Sequence, residues 1–553
     1  MNGAVLLIGS FAYFLIGYFL YGGMLKRRFG VDNSQKTPAV TLRDDVDFCP
    51  TNPMVLFGHH FASIAGAGPI VGPVLAALLG WLPALLWILI GCVFIGAMHD
   101  FAALFLSIRN QGRSIAFVIQ KEIGYWGRQL FLFFCLAALV LVVTVFTTMV
   151  ADGFLANPAV ASSSIAFILM APIFGIITNR RVLGLLEGSL VFVPLLFFFV
   201  WFGTVIPFDL TQYTGSAATA RTIWIWVLLY YAFIASTLPV WILLQPRDYL
   251  NSYLLYVMML LGIVAIVGVH PSIQLAPIDL SKVSAVPNLF PLLFVTIACG
   301  ACSGFHALVA SGTTSKQIAK ENHSLPIAYG GMLLEGLLAV IALISVAYLG
   351  TDQLRSLLTG PEKVPAQIAF AKGLAHFAAG IGISETLAFN FFSLAISAFI
   401  LTSLDTATRL ARFVWQELVL PQKETPVQEK APVAQTVLSN RWTATIIIIA
   451  LSALLCFSGA GAQVWPVFGA ANQLLAALTL LCVTLWLIRK KYPYLFALLP
   501  CFFMMIISIW ALVCLIMQNA GKSIALVSIS VLLLLLALIL VILGIKHLCT
   551  KRS

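Results

Sequence analysis

The sequence predicts an all-α polytopic membrane protein of about fifteen transmembrane helices. Three observations point there. Of 553 residues, 61% are hydrophobic and only 9% charged, whereas a soluble globular chain carries about 25% charged residues. Apolar stretches long enough to cross a bilayer recur along the whole chain. Forty glycines and 25 prolines imply that some spans are interrupted, which lipid tolerates only where the backbone faces protein or a wet cavity. A soluble enzyme, a disordered chain and a disulfide-stapled secreted module are excluded.

The spans read as 3–24, 57–79, 84–107, 129–151, 163–178, 186–207, 222–243, 252–269, 288–312, 326–349, 388–413, 442–459, 467–488, 493–517 and 523–545. With the N-terminus outside, Lys26, Arg27 and Arg28 stop the first span on the inside, and the C-terminus also ends inside. Six of the 31 Lys and Arg residues then fall outside (Arg221, Lys282, Arg355, Lys363, Lys372 and Lys522), and the other 25 lie inside. This positive-inside bias accounts for the formal net charge of +11 without nucleic acid. The expected setting is the cytoplasmic (inner) membrane, with the bilayer and a small solute as partners; oligomeric state stays open. The first span does not read as a cleaved signal peptide, because its basic residues follow the apolar stretch. The ten cysteines are scattered, and Cys299 and Cys302 read as small packing residues rather than a redox pair.

Residues 1–56 form an extra N-terminal helix and inside loop, 57–488 the core with two inserted helices, and 489–553 two C-terminal helices. The loop 25–56 is acidic near its end (Asp44, Asp45, Asp47). The outer loop 350–387 is amphipathic, with 366–379 helical and able to fold back into a vestibule. The inner loop 414–441 carries QKETPVQEKAP, a solvated linker. Spans 186–207 and 523–545 read as lipid-contact helices.

Four spans are unusual. In FGHHFASIAGAGPIVGPVLAALLG (57–80), Gly66, Ala67, Gly68, Pro69, Gly72 and Pro73 crowd the middle. Proline removes an amide donor, and glycine costs about 1 kcal/mol of helix propensity. A helix broken there exposes amides that attract anions and carbonyls that attract cations. In FVTIACGACSGFHALVASGTTSKQ (294–317), Gly300, Ser303 and Gly304 interrupt a second span beside Phe305 and His306. The two spans run in opposite directions, the pointer to an inverted-repeat transporter; IASTLP (234–239) is a rival partner for IAGAGP (64–69). In LAISAFILTSLDTATRLARFVWQEL (394–418), Thr402 and Ser403 either ligate a hard cation or bond back to their own helix. Asp405 and Arg409, spaced i, i+4, read as a local pair. In GAMHDFAALFLSIRNQGRS (96–114), His99 and Asp100 are intramembrane ionisable groups, functional candidates or an inner gate. Glu335, near the centre of 326–349, is either neutral and hydrogen-bonded or a proton carrier. Asn472 and Gln473 in FGAANQLLA line a path or bridge helices.

FGHHFASIAGAGPIVGPVLAALLG, WILIGCVFIGAMHDFAALFLSIRNQGRS, SGFHALVASGTTSKQ, TSLDTATRLARFVWQEL and WPVFGAANQLLA together resemble the carbon starvation protein A family over most of the chain. The resemblance implies membership of the amino acid–polyamine–organocation superfamily. Its core is five helices plus five inverted helices, the first and sixth broken. Here 57–79 is similar to the first and 288–312 to the sixth. LTS (401–403) is similar to the hydroxyl pair of a sodium site in sodium-symporter relatives. The chain looks shorter than the longer members, and the family has been associated with both pyruvate and peptides.

The expected function is therefore a coupled secondary transporter, not an enzyme. No phosphate-binding G-x-x-x-x-G-K-[ST] loop points to ATP drive. A channel or a membrane metal enzyme is the alternative class, but adjacent His59 and His60 point different ways around a helix and make a poor bidentate site. Pyruvate moved alone against an inside-negative potential is opposed by about 2.3 kcal/mol per 100 mV, which symport of one cation removes. No cofactor is expected; the coupling ion is H⁺ or Na⁺. The substrate is expected between the amides of Gly66, Ala67 and Gly68 and the second break at Ser303, Gly304, Phe305 and His306. A Na⁺ would sit between Thr402, Ser403 and the carbonyls of Ala62 and Ala65. A proton would use Glu335, then His306, then His99–Asp100. His59, His60, His99, Asp100 and Asp405 are candidate gate or relay residues.

Overall fold

The computed structural model describes residues 1–44, 48–180, 182–239, 242–279, 289–361, 363–420, 433–458 and 464–550. Lys282, Asp45, Asp47 and the QKETPVQEKAP stretch from Gln422 to Pro432 lie outside the described residues. Among those described, the chain is helical, with only isolated bridges between extended residues.

Among the described residues, twelve helices are long and apolar enough to cross a membrane, thirteen when one bent pair counts as a span. They begin with α1 (Gly3–Arg28), the bent pair α2 (Pro53–Ile64) and α3 (Gly68–Leu79), and α4 (Trp81–Arg109). Next come α5 (Tyr125–Ala156), α6 (Pro158–Asn179), α7 (Leu185–Val205), α8 (Ala217–Thr237) and α9 (Leu244–Val269). The ninth expected span is two short helices, α10 (Leu289–Thr296) and α11 (Gly304–Gly312). After α12 (Glu321–Ala347) come α13 (Thr351–Thr359) and α14 (Ala366–Gly380), then α15 (Glu385–Val419). The twelfth expected span is the shorter apolar α16 (Arg441–Cys456). Helices α17 (Val464–Arg489), α18 (Leu495–Asn519) and α19 (Ile524–Lys546) complete the chain. Each of the fifteen expected spans thus has a helix or an interrupted pair; two fall short of the length criterion, one because it is short and one because it is broken.

Burial sorts these helices. Ninety-four per cent of the apolar window of α17 is buried, against 28% for α7. The phenylalanine-rich α7 and leucine-rich α19 present large side chains outward, as bilayer-contact helices do. The two interrupted helices lie inside. α3 packs on α12 and α14, α2 on α9 and α15, and α11 on α4 and α17. The outer segment does fold back: α14 is mostly buried against α3, α9, α12 and α15.

The first break has a local cause. α2 ends when Ala65 leaves helical geometry at φ −76°, ψ 63°, and the Gly66 amide turns back to the Ile64 carbonyl at 2.8 Å. Pro69 then stands in the first turn of α3, where its missing donor costs nothing. The two halves are bent by 45°. Glycine is required at position 68 for close approach: a Cβ there would lie 2.2 Å from the Cys299 Cβ. The motif IASTLP is instead the plain end of α8, and Arg409 donates to its Ala235 and Leu238 carbonyls at 2.9 and 2.6 Å. A guanidinium thus satisfies the carbonyl end that the sequence left open.

Candidate functional site

Four fully buried side chains from three helices form one chain at the interrupted helices. α4 supplies His99 and Asp100, α11 supplies His306 and α12 supplies Glu335. Asp100 holds two imidazoles, one per oxygen: His99 Nδ1 at 2.8 Å on Oδ1 and His306 Nδ1 at 2.7 Å on Oδ2. The other face of His306 meets Glu335, Nε2 to Oε2, at 3.3 Å. Three candidates that the sequence reading ranked separately are one cluster. His99–Asp100 is joined to the others because α11 crosses α4 directly and its His306 imidazole bonds to Asp100.

Hydrogen-bond roles follow from the chemistry of the groups. A carboxylate is acceptor-only, so His306 donates its Nδ1 proton to Asp100 and leaves Nε2 as the variable position. One proton between Nε2 and Oε2 gives two arrangements: neutral imidazole with carboxylic acid, or imidazolium with carboxylate. His99 Nε2 and Glu335 Oε1, the ends of the chain, are buried without a hydrogen bond, and so are His306 Nε2 and Glu335 Oε2, which face each other at 3.3 Å. Such orphaned polar atoms are costly unless they serve a function.

The second break is capped rather than open. Asn472 Oδ1 accepts from the Phe305 amide at 2.9 Å, and its Nδ2 donates to Ser303 Oγ at 3.0 Å and Cys299 Sγ at 3.3 Å. This decides the role of Asn472: it bridges α17 to α11 and satisfies an amide of the first turn. Gln473 likewise donates to the Phe294 carbonyl. Gly304 is needed because a Cβ there would meet the Asn472 carbonyl at 2.4 Å. The two breaks meet at Cys299 and Gly300, beside Gly68 and Pro69, and His306 also interacts with the Ile64 backbone at the end of α2. Of the amides assigned to the substrate from sequence, that of Gly66 is engaged within the protein, as is the Phe305 amide of the second break.

At the expected cation position, Thr402 Oγ1 donates to the Ala398 carbonyl at 3.0 Å and accepts from Asn251 Nδ2 at 2.5 Å. The local reading of Thr402 therefore holds. Ser403 Oγ is buried without a hydrogen-bond partner and lies against the break, 2.5 Å from where a Gly66 Cβ would stand. Ala62 and Ala65 are fully buried on the same interrupted helix.

The remaining candidates separate. His60 Nδ1 bonds Thr314 Oγ1 at 2.8 Å. His59 Nδ1 lies 3.3 Å from Asp248 Oδ2, so the two adjacent histidines do face different partners. Asp405 belongs to an interhelical cluster, not simply to a local pair with Arg409: it accepts from Arg247, and from the Tyr231 hydroxyl at 2.7 Å. Arg247 also touches Asp248 at 3.3 Å. Sequence reading missed Arg247, Asp248 and Asn251, because QPRDYLN looks like the loop before 252–269. The helix in fact begins at Leu244, with Pro246 in its first turn, where proline is tolerated. The adjacent opposite charges before an apolar run were the available signal. Among the described residues, no group of three or more His, Cys, Asp or Glu is placed to hold a metal.

The family model for carbon starvation protein CstA matches residues 2–367 and 359–511. The peptide transporter CstA of Campylobacter jejuni is 33% identical over 96% of this chain and 84% of its own. The pyruvate/proton symporter BtsT of Escherichia coli is 32% identical over 92% of this chain and 81% of its own. Among solved structures, MhsT in complex with L-phenylalanine aligns at a TM-score of 0.48 and 14% identity, covering 90% of this chain and 99% of that one. A manganese transporter of Eremococcus coleocola aligns at 0.46 and 13% identity, covering 92% and 99%. The specific blocks of the sequence, the interrupted helices they form and the match along nearly its whole length lead to one identification: this chain belongs to the carbon starvation protein CstA family.

Proposed function

We propose that this protein is a secondary active transporter of the cytoplasmic membrane, with N-terminus outside and C-terminus inside. It takes up a small carboxylate by proton symport, and pyruvate is the first substrate to test. The two interrupted helices would be the paired elements of a five-plus-five inverted core. The observation that carries the reading is the sealed chain His99–Asp100–His306–Glu335. It offers one exchangeable proton at the interrupted helices, in a place where an ionisable group is expensive to keep. A relative named as a pyruvate/proton symporter supports both the substrate and the ion. Relatives named as peptide transporters support a second reading, uptake of a small peptide, which also presents a carboxylate.

Symport of one proton with one monocarboxylate is electroneutral, so the membrane potential does not oppose entry. Protonation of the His306–Glu335 pair would favour carboxylate binding beside it, and release to the inside would follow loss of that proton. Sodium coupling would instead rest on Ser403 and the carbonyls of Ala62 and Ala65, with Thr402 contributing less because its hydroxyl is committed. The deciding experiment is uptake of labelled pyruvate and a labelled dipeptide into proteoliposomes, under separate H⁺ and Na⁺ gradients. Proton-driven, saturable pyruvate accumulation is the expected result. Accumulation of dipeptide alone would give the substrate to the second reading, and solute flux that ignores both gradients would leave a channel.

A further inference from the structure

The break region is closely packed, yet a cavity lies close beside it. A cavity of about 60 Å³ is bounded by the end of α2, the end of α11, the start of α9 and the inner half of α15. Its charged or chargeable lining is His59, Lys316 and Arg409, and hydroxyls of Ser63, Thr313 and Thr406 also face it. No Asp or Glu lines it. Two carboxylates stand behind the wall, Asp248 against His59 and Asp405 against Arg247. Lys316 also lies 5.6 Å over the Phe48 ring and near Glu417, which Arg128 pairs at 3.7 Å; Lys316, Arg409, Arg247 and Arg128 then stand against Asp248, Asp405 and Glu417, one positive charge in excess with His59 neutral. The larger cavity of about 440 Å³ on the other side of Lys316 is different, because Glu417 lines it. Ser63 lies next to the last residue of α2, and Gly312 lies about 9 Å along α11 from His306 at helical rise. The chamber is thus on the path between the buried chain and one face of the protein.

We propose that this chamber is a second anion site, a staging point for a small carboxylate between the interrupted helices and the aqueous phase, with Lys316 as its main charge. The proposal rests on the transport reading for its direction of use, but the site is defined by its own lining. Lysine is a compact point charge with three rotatable donors, suited to holding an anion briefly. A desolvated positive chamber raises the local concentration of anions. His59, Ser63, Thr313, Thr406 and the side-chain amides of Gln245 and Gln317 complete the shell.

Cys49 provides a readout independent of transport. It lines this chamber, its amide donates to the Lys316 carbonyl at 3.2 Å, and it is partly exposed while the other described cysteines are buried. The full chain in detergent, carrying Cys549→Ser, is alkylated with iodoacetamide, with and without saturating pyruvate or its neutral isostere pyruvamide. Rates are compared as ratios within each variant, so that a changed thiol reactivity cancels. Pyruvate is expected to slow alkylation at least about fivefold, and pyruvamide not at all, since charge is what the chamber recognises. Lys316→Gln should lose the protection and Lys316→Arg should keep it. Gly68→Val, whose Cβ would strike Cys299 at the break, should keep the protection while losing uptake; Glu335→Gln serves the same purpose if Gly68→Val does not fold. Four results overturn the site: no protection in the parent, equal protection by pyruvamide, protection surviving in Lys316→Gln, or protection lost in both break variants. Protection in a parent protein that itself shows no uptake would sink the transport reading and leave the anion site standing.

Discussion

Two buried ionic clusters lie within this protein, and they are built oppositely. At the interrupted helices, two histidines and two carboxylates share protons with no Lys or Arg among them, and both ends of the chain are left unpartnered. Around α9, an arginine grips two carboxylates and a tyrosine, with His59 at the edge of a cavity. An arginine is always charged, so the second cluster holds a fixed charge pattern and joins α2, α8, α9 and α15. Histidine and glutamate can exchange a proton, so the first cluster has states to choose between. The comparison teaches that burial of charge alone does not mark a coupling site; what matters is whether the partners can change protonation.

The largest expected effect tests the clamp. Arg247→Met leaves Asp405 and Asp248 buried without their cation, and should cost about 3–5 kcal/mol of stability. Thermal unfolding in detergent would read it, and Arg247→Met/Asp405→Asn should recover part of the loss. A stable single variant that only changes transport would erase the distinction between the clusters.

Next comes coupling. Glu335→Gln fixes a neutral side chain beside His306; it should leave the melting temperature within a few degrees and reduce pH-driven accumulation by at least about tenfold, a barrier-scale effect of roughly 1.4 kcal/mol. Substrate exchange without a gradient should persist. Wild-type accumulation by this variant would pass the coupling role to His306. Asp100→Asn offers one acceptor where two imidazoles each donate, so one imidazole must switch tautomer to accept from the amide or lose its bond, at up to about 1–3 kcal/mol. It should weaken coupling by about fivefold and flatten the pH profile of uptake, and an unchanged profile would confine Asp100 to a structural role.

The smallest effect concerns the hydroxyl pair. Thr402→Ala/Ser403→Ala removes one committed and one unpartnered hydroxyl, and in a proton symporter should change uptake by less than about twofold, since each such bond is worth roughly 1 kcal/mol or less net. A large loss confined to sodium-containing buffer would assign the ion to this pocket.

Much of this was legible in the chain. Hydropathy located every span because a bilayer demands about 20 apolar residues per helix. Gly66, Gly68 and Pro69 disclosed the first break, because glycine and proline act locally on the backbone. His99, Asp100, His306 and Glu335 stood out individually because ionisable groups are rare in lipid. Their union did not, since His306 is 206 residues from Asp100 along the chain and meets it only where α11 crosses α4. Asp405 was misread for the same reason: helical spacing suggests a partner four residues away, while the guanidinium that grips it comes from α9. Asn472 read as undecided until α17 brought it over the first turn of α11. The class, the spans, the breaks and the individual buried ionisable residues could all be read from the sequence, because local propensity and transfer to lipid set them. Only the tertiary structure decided which carboxylate faces which imidazole and which amides are already capped, because hydrogen bonds between helices depend on geometry at a scale of 3 Å that no one-dimensional pattern encodes.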